Sequence, residues 1–175
     1  GLTFNGSVRE TKQLSDYVST PQAGRVLVYG GFDAKSTKNS GVTFDISSRS
    51  FTNTTTLGAA ARQGHTATPL QSRKILLAGG KSGSRIIKSA EVFDPVTSSF
   101  LPTAGSMNRE RYRHTATRLA SGKVLIAGGQ NLYSINNTAE IFDVTEDDHG
   151  TFRLVPTPMI SPRDGHTATL LNDGT

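Results

Sequence analysis

The chain has 175 residues, 34% of them hydrophobic, with 19 Lys and Arg against 14 Asp and Glu for a formal net charge of +5. With 18 Gly and this balance it reads as a folded chain rich in turns, which excludes fibrous and intrinsically disordered classes. The lack of cysteine excludes disulfides, thiolate metal sites and cysteine nucleophiles from this sequence, and no run approaches the roughly 18 apolar residues of a membrane helix.

The opening residues, Gly1-Leu-Thr-Phe-Asn, have neither a charged start nor a long apolar run, so no signal peptide is expected in the sequence as given. Residues 1–12 are expected to hold one strand near Phe4. From there a pattern repeats. Paired glycines fall at Gly30/Gly31, Gly79/Gly80 and Gly128/Gly129, and Phe-Asp pairs at Phe44/Asp45, Phe93/Asp94 and Phe142/Asp143, both recurring every 49 residues. A period near 50 indicates a propeller or solenoid array, in which each unit buries its apolar surface only against its neighbours. The units run over 13–61, 62–110 and 111–162, with a partial one over 163–175. The first is degenerate: Asp16 and Tyr17 stand where later units have His-Thr, Gln13 where they have Arg, and Val42 where they have Glu. Such divergence suggests a terminal or partner-contacting unit.

Within the third unit, Thr115-Ala-Thr-Arg-Leu and Val124-Leu-Ile-Ala are separated by a turn at Ala120-Ser-Gly-Lys, which predicts a hairpin. The second run has no alternation, as expected of a strand covered on both faces. A third strand over Ala139-Glu-Ile-Phe and a fourth from Phe152 complete an up-and-down set of four. No segment has a helical period. The glycine pairs end the second strand, where positive φ or close backbone approach leaves no room for a side chain.

A diglycine, an aromatic and a second aromatic seven positions on resemble the kelch repeat of β-propellers. The aromatic pairs are Phe44/Phe51, Phe93/Phe100 and Phe142/Phe152, the last stretched by an insertion at Glu146-Asp-Asp-His-Gly. Arg-x-x-His-Thr-Ala-Thr followed by Lys-Val-Leu-Ile-Ala-Gly-Gly is similar to bacterial kelch repeats, including those related to galactose oxidase. The resemblance implies an all-β, kelch-type propeller of four-stranded blades in a secreted or cell-surface bacterial protein. His65, His114 and His166 would lie on the innermost strands, where the following small residues suit the narrow space. Counting strands gives 14, about three and a half blades. Propellers close with about four to eight, so an open arc is expected, a segment of a larger ring or half of a dimeric one. The copper cofactor of the galactose oxidases needs a Cys, which this sequence lacks.

Arg62, Arg111 and Arg163 each precede a His by three positions, and Glu91 and Glu140 recur on third strands. These read either as a structural ion-pair network copied in every unit or as an arginine ring that grips carboxylate or phosphate. The three histidines read as core or rim residues rather than a metal centre, because equivalent positions enter separate crevices. Glu146, Asp147 and Asp148 lack calcium-ligand spacing, and Gly80-Lys81-Ser82 lacks the first glycine and the helix of a phosphate loop. No cofactor or metal site is expected.

Charge points to a surface. In the four-strand order, the connections entering each unit and those between its second and third strands emerge at one edge. That edge carries Lys35, Lys38, Arg62, Lys81, Arg85, Lys88, Arg109, Arg111, Arg113 and Arg163 against Asp33, Glu110 and Asp164, a net +7. Lys81, Arg85, Arg109, Arg111, Arg113 and Arg163, with Tyr112 and Tyr133 for stacking, are the candidate binding residues for a protein or anionic glycan. A dense basic and aromatic track for nucleic acid is lacking. The leading expectation is a noncatalytic binding platform; the alternatives are part of a carbohydrate-active or oxidase-like enzyme with catalytic residues elsewhere, and a structural assembly module. Asn5, Asn53 and Asn136 begin glycosylation sequons that matter only in a host that uses them.

Overall fold

The computed structural model describes residues 24–54, 58, 60–144 and 149–171. Among these the chain is all-β, without a helix. Sheet 1 contains β1 (Arg25–Tyr29), β2 (Gly41–Asp45) and β3 (Ser50–Asn53). β4 (Thr66–Pro69), β5 (Ile75–Ala78), β8 (Ala90–Asp94) and β9 (Ser99–Pro102) form sheet 2, with β6 (Lys81–Ser82) and β7 (Arg85–Ile86) as a short hairpin between β5 and β8. Sheet 3 is β10 (Thr115–Arg118), β11 (Val124–Ala127), β12 (Ala139–Asp143) and β13 (Thr151–Leu154). Neighbouring strands are antiparallel, so sheets 2 and 3 are simple meanders lying within 62–110 and 111–162. The expected strand near Phe4, the first strand of unit 13–61 and the acidic residues 146–148 lie outside the described residues. At the other end, His166-Thr-Ala-Thr-Leu170 forms no strand, having no hydrogen-bonded strand partner among the described residues.

Two local devices recur at the 49-residue period. Each Phe-Asp pair ends a third strand, and in the first two the Asp closes the following turn: Asp45 Oδ1 accepts from the Ser47 and Ser48 amides (both 2.9 Å), and Asp94 Oδ1 from the Val96 amide (2.8 Å). A short aspartate side chain mimics a turn carbonyl in this way. The same aspartates face a cation across the sheet, Arg25 to Asp45, Lys74 to Asp94 and Lys123 to Asp143. On the strand beside the turn, Phe44/Phe51, Phe93/Phe100 and Phe142/Phe152 are cross-strand partners with ring centroids 4.9 Å apart in every case. The insertion lengthens the third turn without shifting this register.

The core lies between sheets and shows how they stack. Leu76, Ala78, Ala90 and Val92 of sheet 2 cluster with Val124, Ile126 and Phe142 of sheet 3, together with Leu70 and Met107. Successive strand residues point to opposite faces. Shifted by 49, Leu76 corresponds to Leu125, not to Val124 or Ile126, so sheet 2 meets sheet 3 with the opposite face from the one sheet 3 presents. The other face of sheet 2 meets sheet 1, where Tyr29 lies 5.0 Å from Phe100. Stacking is head to tail, with β4 beside β10. Leu77 and Ile126 are 0% exposed on the face that meets a preceding sheet, whereas their counterpart Val28 is 53% exposed.

Candidate functional site

Sheets 2 and 3 are each tied to the loop entering them by an arginine and a glutamate. Arg111 Nη1 donates to the carbonyls of Gly128 (2.7 Å) and Thr138 (2.8 Å), Nη2 to Thr138 Oγ1 (2.8 Å), and Nη2 and Nε to Glu140 Oε1 (3.1 and 3.2 Å). Glu140 also accepts from the Asn108 and Arg109 amides (2.6 and 3.0 Å) and from Asn108 Nδ2 (2.9 Å). Arg62 repeats the arrangement with Gly79, Ser89 and Glu91, its Nη2 3.6 Å from Glu91 Oε1. Both guanidinium groups are fully buried. The expectation that Arg111 is a surface binding residue is therefore corrected: its donors are consumed inside the sheet it introduces, as a buried charge requires. Arg163 occupies the equivalent position and is exposed.

The histidines follow their arginines into the seams between sheets. His114 Nε2 lies 3.0 Å from Thr66 Oγ1, and His166 Nε2 3.1 Å from Thr115 Oγ1. Each imidazole thus pairs with the first strand of the preceding sheet. They do not converge, and no group of three His, Asp or Glu side chains is placed to hold a metal ion among the described residues. Burial, followed by the charge of Arg62, lowers the His65 pKa to about 4; burial and Arg111 lower that of His114 to about 3.

The glycine pairs make these seams possible. A Cβ on Gly79, whose φ is +61°, would stand 2.6 Å from the Arg111 carbonyl and 2.8 Å from His114 Cε1. Gly80 in turn donates its amide to Arg111 O at 2.8 Å. Gly31 meets the expectation through positive φ, at +91°. Its amide makes the seam bond to Arg62 O at 2.8 Å, as Gly80 does to Arg111, yet among the described residues nothing lies within 4 Å of where its Cβ would stand. Gly80 and Gly129 are crowded by the loop entering their own sheet, through His65 and His114, whereas the matching position before Gly31 is Asp16, outside the described residues. The φ of +91° is by itself enough to call for glycine at Gly31.

The loop edge carries three tips, over residues 32–37, 81–86 and 130–135, each closed by an antiparallel bridge or hairpin. Gln63 bridges to Lys81 and Tyr112 to Gln130, which fastens the entering loops to two of these tips. Asn131 Oδ1 accepts from the Tyr133 and Ser134 amides (both 2.8 Å), fixing the third tip so that Tyr133 projects 93% exposed, flanked by exposed Leu132 and Ile135. Sequence reading missed this turn, although Asp33 and Asn131 stand at the same offset after their glycine pairs, and Asp33 accepts from Lys35 and Ser36 in the same way.

Tyr112, half-buried, lies over Gly64, where a Cβ would meet its ring at 2.2 Å. Arg113 extends to 3.9 Å from Asp164. Its φ of 58° is left-handed, matching the glycines at the equivalent positions 64 and 165. A non-glycine residue there costs about 1 kcal/mol, so this arginine is held at a conformational expense that its counterparts avoid.

Removing buried Arg62 and Arg111 from the ten cations leaves eight against Asp33, Glu110 and Asp164, an accessible net of +5 rather than +7. Lys38 pairs with Asp33 and Arg113 with Asp164. Among the described residues Lys81, Arg85, Lys88 and Arg109 have no carboxylate within ion-pair distance. Asn136 is buried and donates to the Glu110 carbonyl, which closes its sequon to modification in the folded chain. No protein-family model matches this chain, and no curated protein matches it.

Proposed function

We propose that the chain is an arc of a kelch-type β-propeller that serves as a noncatalytic platform, holding an anionic glycan or an acidic protein segment at its loop edge. The observation that carries this reading is the set of unpaired cations Lys81, Arg85, Lys88 and Arg109 at the edge from which Tyr133 projects. Unpaired cations supply attraction that reaches across about a Debye length. A fixed aromatic supplies stacking at little entropic cost. Arg113, kept in a left-handed conformation, is a further pointer, since strain of this kind gathers at functional positions. Support for the propeller comes from the 49-residue repeat, the four-stranded meanders and the head-to-tail stacking. Placement outside the cell rests on the kelch resemblance alone.

The test is binding of heparin and of polyglutamate at low salt, as sulfated-glycan and acidic-polypeptide probes. Arg85→Glu, Arg109→Glu and Arg113→Glu combined should weaken capture of the true class at least about tenfold without moving the unfolding midpoint. Tyr133→Ala should weaken heparin more than polyglutamate if stacking on sugar contributes. Unchanged capture of both probes by the triple variant would remove this edge as the site.

A further inference from the structure

The tip at residues 130–135 exposes three large apolar side chains that the repeat does not require. Leu132 is 56%, Tyr133 93% and Ile135 46% exposed. At the positions of Leu132 and Tyr133 the other two tips carry Ala34 and Lys35, and Gly83 and Ser84. The counterpart of Ile135 in the second tip, Ile86, is buried. The third tip is also held stiffly, because Asn131 Oδ1 accepts from two of its amides and Gln130 bridges to both Ile135 and Tyr112. From there a hydrogen-bonded rim runs to the other tips. The Arg113 amide donates to the Gly64 carbonyl at 3.1 Å, Gln63 bridges to Lys81, and the Gly83 amide donates to Thr37 Oγ1 at 3.2 Å. At this edge Lys81, Arg85, Lys88 and Arg109 have no carboxylate within ion-pair distance among the described residues. The opposite edge differs: there Arg25, Lys74 and Lys123 face Asp45, Asp94 and Asp143, and exposed Val96 follows one of those neutralised aspartates.

We propose that the loop edge docks on the surface of an anionic lipid bilayer. Leu132, Tyr133 and Ile135 enter the boundary between headgroups and acyl chains, and the four cations lie over lipid phosphates. A projecting apolar wedge in a basic field matches such a surface, where burial of apolar area and attraction to anionic lipid add together. Tyrosine suits that boundary, since its ring is apolar while its hydroxyl stays in contact with water. A tip fixed beforehand by Asn131 loses little freedom on docking. A soluble polyanion attracts the same cations but leaves Leu132 and Ile135 in water, which an acyl-chain boundary does not. The cations are shared with the platform role proposed above; Leu132 and Ile135, on which this inference rests, are not.

The probes are vesicles of phosphatidylcholine alone and of phosphatidylcholine with about one third phosphatidylglycerol, sedimented with the intact chain. Only the second should carry the protein down. Leu132→Ser combined with Ile135→Ser should weaken that binding at least about tenfold. Both side chains are exposed, so the unfolding midpoint and the capture of heparin and polyglutamate should stay in place. Val96→Ser is the control and should change none of these. The chain has no Trp, so Leu132→Trp supplies a single reporter whose emission should move to the blue on anionic vesicles and stay unmoved with heparin. The proposal is overturned by no sedimentation with anionic vesicles, by equal binding to neutral ones, or by an unshifted Trp emission. Undiminished binding of the serine variant, an equal loss in the Val96 control, or a parallel loss of heparin capture would overturn it as well, the last by assigning the tip to a polyanion site. Vesicle binding without capture of heparin or polyglutamate would keep this proposal and remove the platform role; the reverse pattern would keep the platform and remove the bilayer.

Discussion

The two seams between the three sheets are built on one plan with different parts. Between sheets 2 and 3, Ala78 leaves space that Met107 fills, its Cε lying close to Gly79. Between sheets 1 and 2 the same two positions hold Tyr29 and Gly58. The large residue has moved to the strand and the small one to the loop, and a Cβ on Gly58 would come 2.0 Å from the Tyr29 hydroxyl. Volume-conserving exchange is what a close-packed interior tolerates. Polar contacts differ as well. Glu140 is satisfied on both oxygens, whereas Glu91 accepts from the Ala60 amide through Oε1 and leaves Oε2 buried with no partner among the described residues. Identical spacing thus fixes where seams form, and local exchanges decide how well each is filled.

The comparison can be broken first at the carboxylates. Glu140→Ala strands buried Arg111 and should cost about 4 kcal/mol in urea unfolding. Glu91→Ala should cost measurably less, because the less satisfied carboxylate gives up fewer bonds. Equal losses would mean that the second pair of acceptor contacts contributes nothing.

Next in size is the exchanged pair. Tyr29→Ala should cost about 3 kcal/mol through its cavity, and Gly58→Met about 2 kcal/mol through overpacking. Together they recreate the Ala78/Met107 arrangement and should recover most of the loss, a coupling that a double-mutant cycle reads directly. Simple additivity would show that the two seams are not variants of one design.

A smaller effect separates the histidines by pH. Both have folded pKa values below the 6.5 of the free side chain, so the neutral forms support folding. Their contribution is complete above that value and is lost as pH falls, by about 4 for His65 and about 3 for His114. Replacing His114 with Gln should therefore flatten the acid limb of stability more than replacing His65, the two variants diverging below pH 4, as read from urea midpoints between pH 7 and pH 3. At the low end of the range, Arg113→Gly should leave stability unchanged or raise it by up to about 1 kcal/mol while reducing anion capture.

The strands were legible because each unit spells them out. Val124-Leu-Ile-Ala, Ala139-Glu-Ile-Phe and the glycine pairs mark the second and third strands, and the Phe pairs hold their register even across the insertion before Phe152. The candidate site was less legible. Spacing gives Arg111 and Arg113 as near neighbours in one basic run, yet one turns into the sheet to meet Glu140 and the other turns out toward Asp164. What separates them is a backbone torsion at position 113, where the amino acid gives no hint of left-handed geometry, although Gly64 and Gly165 at the same position do. Tyr29 and Gly58 likewise stand apart in the chain, and only their contact shows that each explains the other.

Head-to-tail stacking has an evolutionary corollary. A face that mates only with its opposite, never with its own copy, gives the array a direction, and any unit whose two faces follow the common plan can be duplicated or removed without redesigning its neighbours. The joint between sheets 2 and 3 is of this copyable kind, because the far side of sheet 3 presents the same surface again. The joint at Tyr29 is not, since a unit inserted there would meet a tyrosine where it expects an alanine. Growth of the array by duplication is therefore open on one side of sheet 2 and closed on the other.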